Sequence, residues 1–381
     1  MEDKGAAGGA SGGLRAWPLL PNATMVVRVA MARRVALRAR SRQGTAPQLS
    51  RASHCRATAS AAEERPLDEA NWRRKHKYAV KLAYDGGNFA GFQLQAGVVS
   101  PRRTVQGELE RCLTQLTGAE RAVLGVGGVG RTDKGVHACA QWVHFWAEAP
   151  LRAGGRKLMG GLNGLMDADV RCHDVKEVPP QFHARRSALQ KEYRYYIDTG
   201  PHLDPLRRHT ALHLHQHLDM GALSEACARF EGMHDFSAFA NSIRDRSARQ
   251  TTKVRTIAQC TAEPTESGVV IVVRSPGFLY RQVRNMVGTL VRCGSGKVGP
   301  EEVTRLLEGQ VPRSRAPKAA PAHGLVLHDV TYPSFVWDMD YCAKRGDDVY
   351  REILELKGID VSFESDSNDS EVGQGATLRP V

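Results

Sequence analysis

Residues 126–138 read VGGVGRTDKGVHA, and residues 141–146 continue as QWVHFW. In the second segment Trp142, His144 and Trp146 alternate with Gln141, Val143 and Phe145, the period-two pattern of a strand. The first segment places Gly127, Gly128, Gly130 and Gly135 around a single carboxylate, Asp133. Glycines let the backbone approach a ligand and adopt φ angles that other residues resist. Asp133 is therefore expected in a turn at the end of a sheet. Arg131 and Lys134 stand beside it, and neighbouring cations favour a charged carboxylate. Thr-Asp-Lys-Gly also suits an ordinary β-turn, with Asp early and Gly late. Locally, a structural turn and a reactive carboxylate both remain open.

Upstream, Tyr78 to Tyr84 (YAVKLAY) alternates like a strand and runs into the loop signal Asp85-Gly86-Gly87-Asn88. Thr104 is an expected N-cap for a helix whose Val105, Leu109, Leu113 and Leu116 make one apolar face, and Gly118 ends it. Downstream, Asp169 to Val178 and Glu192 to Ile197 (EYRYYI) read as strands. The second interleaves aromatic and basic residues, as an RNA-binding sheet does, although an aromatic core strand with solvated arginines fits equally. Met220 to Phe230 reads as a helix, and Val254 to Thr261 with Gly268 to Arg274 as an antiparallel pair. A further helix opens near Phe278 and sets Val283, Met286, Val287 and Leu290 on a core face. Arg284 lies on the neighbouring ridge. A guanidinium there needs an anionic partner, and Asp133 is the candidate. Glu301 to Leu307 is a short helix, and Gly324 to Tyr332 closes the body as a strand.

Charge divides the 381 residues unevenly: +9 over residues 1–77, +9 over the middle and −6 over residues 338–381. A basic globular body points to a polyanion, nucleic acid above all. No apolar run approaches the roughly 20 residues of a membrane span, so no membrane association is expected. Residues 4–62 contain nine Arg and no Asp or Glu, the character of an organelle transit peptide or of a basic arm that adds RNA affinity. Residues 1–77 are expected to be a largely disordered extension. Residues 78–190 would then form an N-terminal half carrying Asp133, residues 191–335 a C-terminal half, and residues 336–381 an acidic, mostly disordered tail with a short helix at Asp348 to Leu356. The eight cysteines show no C-x-x-C pair, so free thiols are expected. His213, His215 and His217 form a row without an acidic or cysteine partner at ligand spacing. A solvated or RNA-facing strand fits that row better than a metal site.

Taken in order, YDGGNFAGFQLQ, RTVQGELE, GRTDKGVHA, FHARRSA, EYRY, GMHDFSAF, GFLYRQVRNMVGTL and APAHGLVL over about residues 78–333 closely resemble the TruA family of tRNA pseudouridine synthases. The resemblance implies an α+β pseudouridine synthase fold, with two similar RRM/ferredoxin-like α/β halves whose antiparallel sheets form a central basic cleft. It implies a tRNA partner, a homodimer, no cofactor and no metal. It also implies isomerisation of uridines in the anticodon stem-loop. Asp133 would be the nucleophile, Arg284 its partner, and Tyr193 the ring against the uracil. Arg131 would help flip the target nucleotide, and Leu325 would wall the pocket. The sequence departs from the family pattern at Phe92 and Leu94, where Trp and Arg are usual, and at Lys134 and Met166. Two other classes keep a place: a catalytically silent RNA-binding protein, and a metal-dependent hydrolase built on the histidine row.

Overall fold

The alternation of YAVKLAY becomes β1 (His76–Tyr84) and that of QWVHFW becomes β3 (His137–Ala147), paired antiparallel with Val80 opposite Val143. The computed structural model describes residues 74–94, 102–151, 154–241 and 252–359. The transit-like stretch, Gln95 and residues 360–381 lie outside the described residues. Local signals set the first helix, α1 (Val105–Thr117). Thr104 Oγ1 accepts the Gly107 N–H at 3.2 Å, and Gly118 ends the helix at φ 70°. The chain then forms α2 (Arg121–Leu124), β2 (Gly127–Gly128), β3, α3 (Gly154–Leu165) and β4 (Val170–Val178). The second part forms β5 (Gln190–Asp198), β6 (Leu212–His213), α4 (Met220–Ala228), β7 (Gly232–Asp235) and β8 (Val254–Ile257). It continues through β9 (Gln259–Thr265), β10 (Gly268–Ser275), α5 (Gln282–Gly294), α6 (Glu301–Leu307) and β11 (Leu325–Thr331).

The two sheets expected for the halves are joined into one. Its order is β4-β1-β3-β11-β5-β10-β9, with β2 beside β3 and β6 beside β5, nine strands in all; β7 and β8 form a separate pair. The last strand, β11, makes the join. It runs parallel to β3, with Val326 opposite His137, and antiparallel to β5, with Leu325 opposite Tyr195. The parallel pairing sets the starts of β3 and β11 side by side, so the Asp133 turn and Leu325 meet at one end of the sheet. Helix α3 packs on β4 with α1 against it, and α4 packs on β9 with α5 against it. Val283, Met286, Val287 and Leu290 of α5 are all buried, as their spacing requires.

The acid-rich stretch beyond Pro333 is not without structure as far as residue 359. A 3-10 turn at Ser334–Trp337 leads to α7 (Met339–Arg345) and α8 (Asp348–Leu356). Trp337 lies 4.9 Å from Phe182 and 5.2 Å from both Trp142 and Tyr332, ring centre to ring centre. Val336, Cys342, Val349 and Ile353 are buried. One apolar stripe at four-residue spacing suffices to dock a helix whose outer face is acidic; composition averages over both faces and hides it.

Candidate active site

Asp133 sits in a tight turn: the Val136 N–H donates to the Asp133 carbonyl at 3.1 Å, and Gly135 takes φ 80°. A positive φ of that size at the third turn position is the glycine-requiring conformation of a type II turn. The turn is clamped from three sides. The Phe92 N–H donates to the Thr132 carbonyl at 3.1 Å, and a Cβ on Gly91 would come within 2.9 Å of that carbonyl, so only glycine fits beneath the turn. Tyr84 Oη and Thr132 Oγ1 share a buried hydrogen bond of 2.7 Å. His137 Nδ1 accepts the Gly86 N–H, and its Nε2 meets the His323 carbonyl, each at 3.0 Å. Both readings of Thr-Asp-Lys-Gly thus coincide, for the turn is what holds the carboxylate still.

The charge partners of Asp133 differ from those expected beside it in sequence. Arg131 and Lys134 are exposed, and neither comes within 4.0 Å of the carboxylate among the described residues. Arg284 of α5 does: its Nη1 donates to Asp133 Oδ2 at 2.9 Å, with both side chains about nine-tenths buried or nearly so (13% and 15% exposed). The other edge of that guanidinium is fixed, because Nε donates to the Ala320 carbonyl at 2.8 Å while the Ala320 N–H donates back to the Arg284 carbonyl at 2.9 Å. A second cation, Arg281, stands with Nε 3.8 Å from the same Oδ2. Its φ of 61° is the only positive value at a non-glycine among the described residues. That conformation costs about 1–3 kcal/mol and is found where surroundings impose it, often at functional sites. Asp133 Oδ1 has no hydrogen-bond partner among the described residues, so one oxygen is held and the other is free.

Tyr193 reaches the site from β5. Its hydroxyl has no hydrogen-bond partner among the described residues, although the side chain is buried. Its ring meets Phe278 edge-on at 5.2 Å. Burial, and secondarily the charge of Asp133, pushes its phenol well above the usual tyrosine range, so it stays neutral. Leu325 begins β11 and is buried opposite Tyr195. The structure thus brings Asp133, Arg284 and Tyr193 together, sets Leu325 at the same sheet end, and leaves Arg131 exposed in the adjoining loop. Sequence reasoning missed Arg281 and Phe278. The signal for Arg281 was available, since residues three apart share a helix face, but its own strained backbone was not.

His213, His215 and His217 do not assemble a metal centre. His213 Nε2 meets the Gly200 carbonyl at 2.9 Å, its ring lies edge-on to that of His215 at 4.4 Å, and His217 is exposed. Among the described residues no group of three His, Cys, Asp or Glu side chains could hold a metal ion. No described helix is long and apolar enough to cross a membrane. The seven described cysteines are free, and Cys139 alone of them is exposed.

A turn-borne carboxylate with one free oxygen, a fixed guanidinium and a buried, unpaired phenol suits nucleophilic attack on an electron-poor carbon beside a flat base. A family model described as tRNA pseudouridine synthase matches residues 226–333. A tRNA pseudouridine synthase A of Shouchella clausii is 44% identical over 262 residues, which cover 68% of this chain and 95% of the relative. The tRNA pseudouridine synthase A of Bacillus subtilis is 38% identical over 251 residues, covering 66% and 97%. The tRNA pseudouridine synthase A 1 of Protochlamydia amoebophila is 37% identical over 257 residues, covering 68% and 96%. Among solved structures, a chain of a Cbf5-Nop10-Gar1 complex covers 78% of this chain and is itself covered to 64%, with 10% identity and a TM-score of 0.28, a likeness too slight to bear on the fold.

Proposed function

The chain belongs to the tRNA pseudouridine synthase A family and is a tRNA pseudouridine synthase, an isomerase; from that premise we propose that Asp133 is its nucleophile and that its targets are uridines of the anticodon stem-loop. The observation that carries the reading is the divided carboxylate, with Oδ2 bound to Arg284 at 2.9 Å and Oδ1 free. The guanidinium fixes the orientation of the carboxylate, and its free oxygen needs no rearrangement before attack. The N1–C1′ bond of the uridine breaks, the uracil turns, and C5 joins C1′. The C5 proton leaves and N1 gains one, so substrate and product contain the same atoms and no oxidant, reductant or energy source is consumed.

A uridine stacked in an RNA stem must first leave the stack, at a cost of about a few kcal/mol. In this reading the Tyr193 ring offsets that cost by packing on the extruded uracil, Leu325 closes the apolar side, and exposed Arg131 fills or steadies the space the nucleotide vacates. Arg281 adds a second positive charge at Oδ2. The basic character of the middle of the chain serves the tRNA backbone in a cleft between the halves. We place the enzyme in an organelle on the strength of the acid-free, Arg-rich residues 4–62, and as a homodimer by the family resemblance.

The test is tritium release from tRNA labelled at uridine C5, with Asp133→Asn compared against the unaltered protein for both release and tRNA affinity. Release is expected to cease while most affinity remains. Full activity in the variant sinks the assignment. Mapping pseudouridines in organelle and cytosolic tRNAs with and without the protein tests the stem-loop and the compartment together.

A further inference from the structure

Arg284 holds the Asp133 carboxylate, and a strap of chain that crosses α5 holds Arg284. The strap, residues 311–320, belongs to no helix or strand and contains no Asp or Glu. It lies so close to the helix that a Cβ on Gly288 would come within 2.1 Å of the Lys318 carbonyl. Its last residue braces Arg284 twice, the Ala320 carbonyl accepting from Nε and the Ala320 N–H donating to the Arg284 carbonyl. Its other end is fastened by Arg313, whose Nη1 donates to the Pro317 carbonyl at 3.0 Å and whose Nη2 donates to Asn285 Oδ1 at 2.6 Å. Asn285 follows Arg284 in the helix and is 1% exposed. Its Nδ2 donates to Asn241 Oδ1 at 2.9 Å and to the Phe239 carbonyl, so a second segment fixes it in turn. The Asn241 N–H donates to the Tyr280 carbonyl at 3.1 Å, next to Arg281. The acceptors of Arg313 are thus neutral oxygens, and no carboxylate lies within 4.0 Å of it among the described residues. Its Nε is buried without a hydrogen-bond partner among them.

A guanidinium served only by neutral oxygens, with one donor unsatisfied, is an expensive choice for stability alone. What it supplies is geometry, because a planar fork of donors ties two pieces of chain at a fixed spacing. Here the fork ties the Pro317 carbonyl of the strap to Asn285 of the helix, three residues before Ala320. We propose that Arg313 is a positioning residue for the isomerisation: it clasps the strap to Asn285, so that Ala320 holds the Arg284 guanidinium at the angle at which Nη1 meets Asp133. The inference rests on Asp133 and Arg284 forming the active site. Arg313 shares no hydrogen bond or ion pair with Asp133 and acts through Arg284. Hydrogen bonds weaken steeply with misalignment, and a misplacement of about 1 Å at a reacting group can cost roughly a hundredfold in rate. A strap without helix or strand bonds of its own needs such a clasp to hold Ala320 that closely.

The test is single-turnover tritium release from tRNA labelled at uridine C5, with tRNA affinity alongside, for Arg313→Met, Arg284→Met and the double variant. Arg313→Met should lower the rate on the order of tenfold and leave affinity within about threefold of normal. Relative to Arg284→Met, the double variant should be slower by less than about twofold, because the group through which Arg313 acts is already gone. Equal losses with and without Arg284 would mean that the clasp serves the fold at large, and would overturn the proposal. A kept rate with weaker tRNA binding and a smaller salt dependence would mark Arg313 as a phosphate contact instead, and would also overturn it. Arg313→Lys keeps the charge and loses the fork. It should slow the reaction by about threefold or more with affinity kept, and it decides by the same comparison should Arg313→Met not fold. An Arg284→Met variant as active as the unaltered protein would sink the active-site reading and this inference together. A slow Arg284→Met, with equal Arg313 losses in both backgrounds, would sink the inference alone.

Discussion

Two charged places lie close together on this sheet and handle charge in opposite ways. At Asp133 the carboxylate is matched: Arg284 sits on one oxygen at 2.9 Å and is itself braced by the Ala320 carbonyl. At Lys191 no carboxylate lies within 4.0 Å among the described residues, and burial, then the positive charges of Arg185 and Lys357, disfavour its ammonium. A matched pair repays much of its desolvation and keeps its geometry whether or not substrate is present. An unmatched, largely buried cation lowers the stability of the protein. The difference separates a carboxylate held by its partner from an ammonium that its surroundings disfavour, although both are mostly buried.

Breaking the matched side should have the largest effect. Asp133→Asn leaves the guanidinium without its anion and the reaction without its nucleophile, and a loss of roughly 10⁴-fold or more in turnover is expected in single-turnover assays. Residual turnover above about a tenth of normal would show that the carboxylate is not the reacting group. Arg284→Met should come next, with activity down by roughly 10²–10³-fold and stability down by about 1–3 kcal/mol in urea unfolding, because the partly buried carboxylate then loses its hydrogen-bonded partner and keeps only Arg281 at 3.8 Å. The double variant Asp133→Asn with Arg284→Met should be less destabilised than the sum of the singles. Additive losses would mean that the pair observed at 2.9 Å contributes nothing.

On the unmatched side the sign reverses. Lys191→Met should be more stable than the unaltered protein, by about 1–4 kcal/mol at pH 6. In the unfolded chain the lysine titrates near 10.5, whereas in the folded protein burial brings it to about 7. Between those values the unfolded state binds more protons, so the stability of the unaltered protein rises with pH across that window. The advantage of the methionine variant should therefore be full below pH 7 and shrink steadily toward pH 10. Urea unfolding of both proteins at pH 6, 8 and 9.5 measures the gap. A gap that is constant with pH, or a variant that is less stable, would mean that Lys191 is satisfied in the folded state.

How much of this was legible in the sequence depends on how far apart the cooperating residues are. Thr104 and Gly118 bound α1 through contacts a few residues long, and both could be read directly. The pairing of Arg284 with Asp133 spans 151 residues, yet the helical ridge gave it away, since an arginine among packing residues must have an anion. Arg131 and Lys134 were the tempting partners, being adjacent, but a tight turn points consecutive side chains apart. The join made by β11 left no local trace, because parallel pairing with β3 is decided by distant strands. The docking of α7 and α8 was obscured by composition: eleven acidic residues after Trp337 outweigh, in any average, the few buried ones that hold the helices down.

The smallest expected effect bears on a group that belongs to both sides of the comparison. Tyr193 stands in the matched site, yet its hydroxyl is as unpartnered as the Lys191 ammonium, and burial keeps it neutral. If the ring alone packs on the base, Tyr193→Phe keeps the surface that matters and removes a polar atom with no hydrogen bond to lose among the described residues. Turnover should then stay within about threefold of normal, and stability should hold within about 1 kcal/mol, because no hydrogen bond is lost. Tyr193→Leu, which removes the flat face, should cost roughly tenfold or more, stacking on a base being worth about 1–3 kcal/mol. Single-turnover rates for the two variants, with urea unfolding of each, separate the cases. Should the phenylalanine variant fall as far as the leucine one, the hydroxyl meets a polar atom of the substrate, and the site near Asp133 would be matched in charge but not in hydrogen bonds.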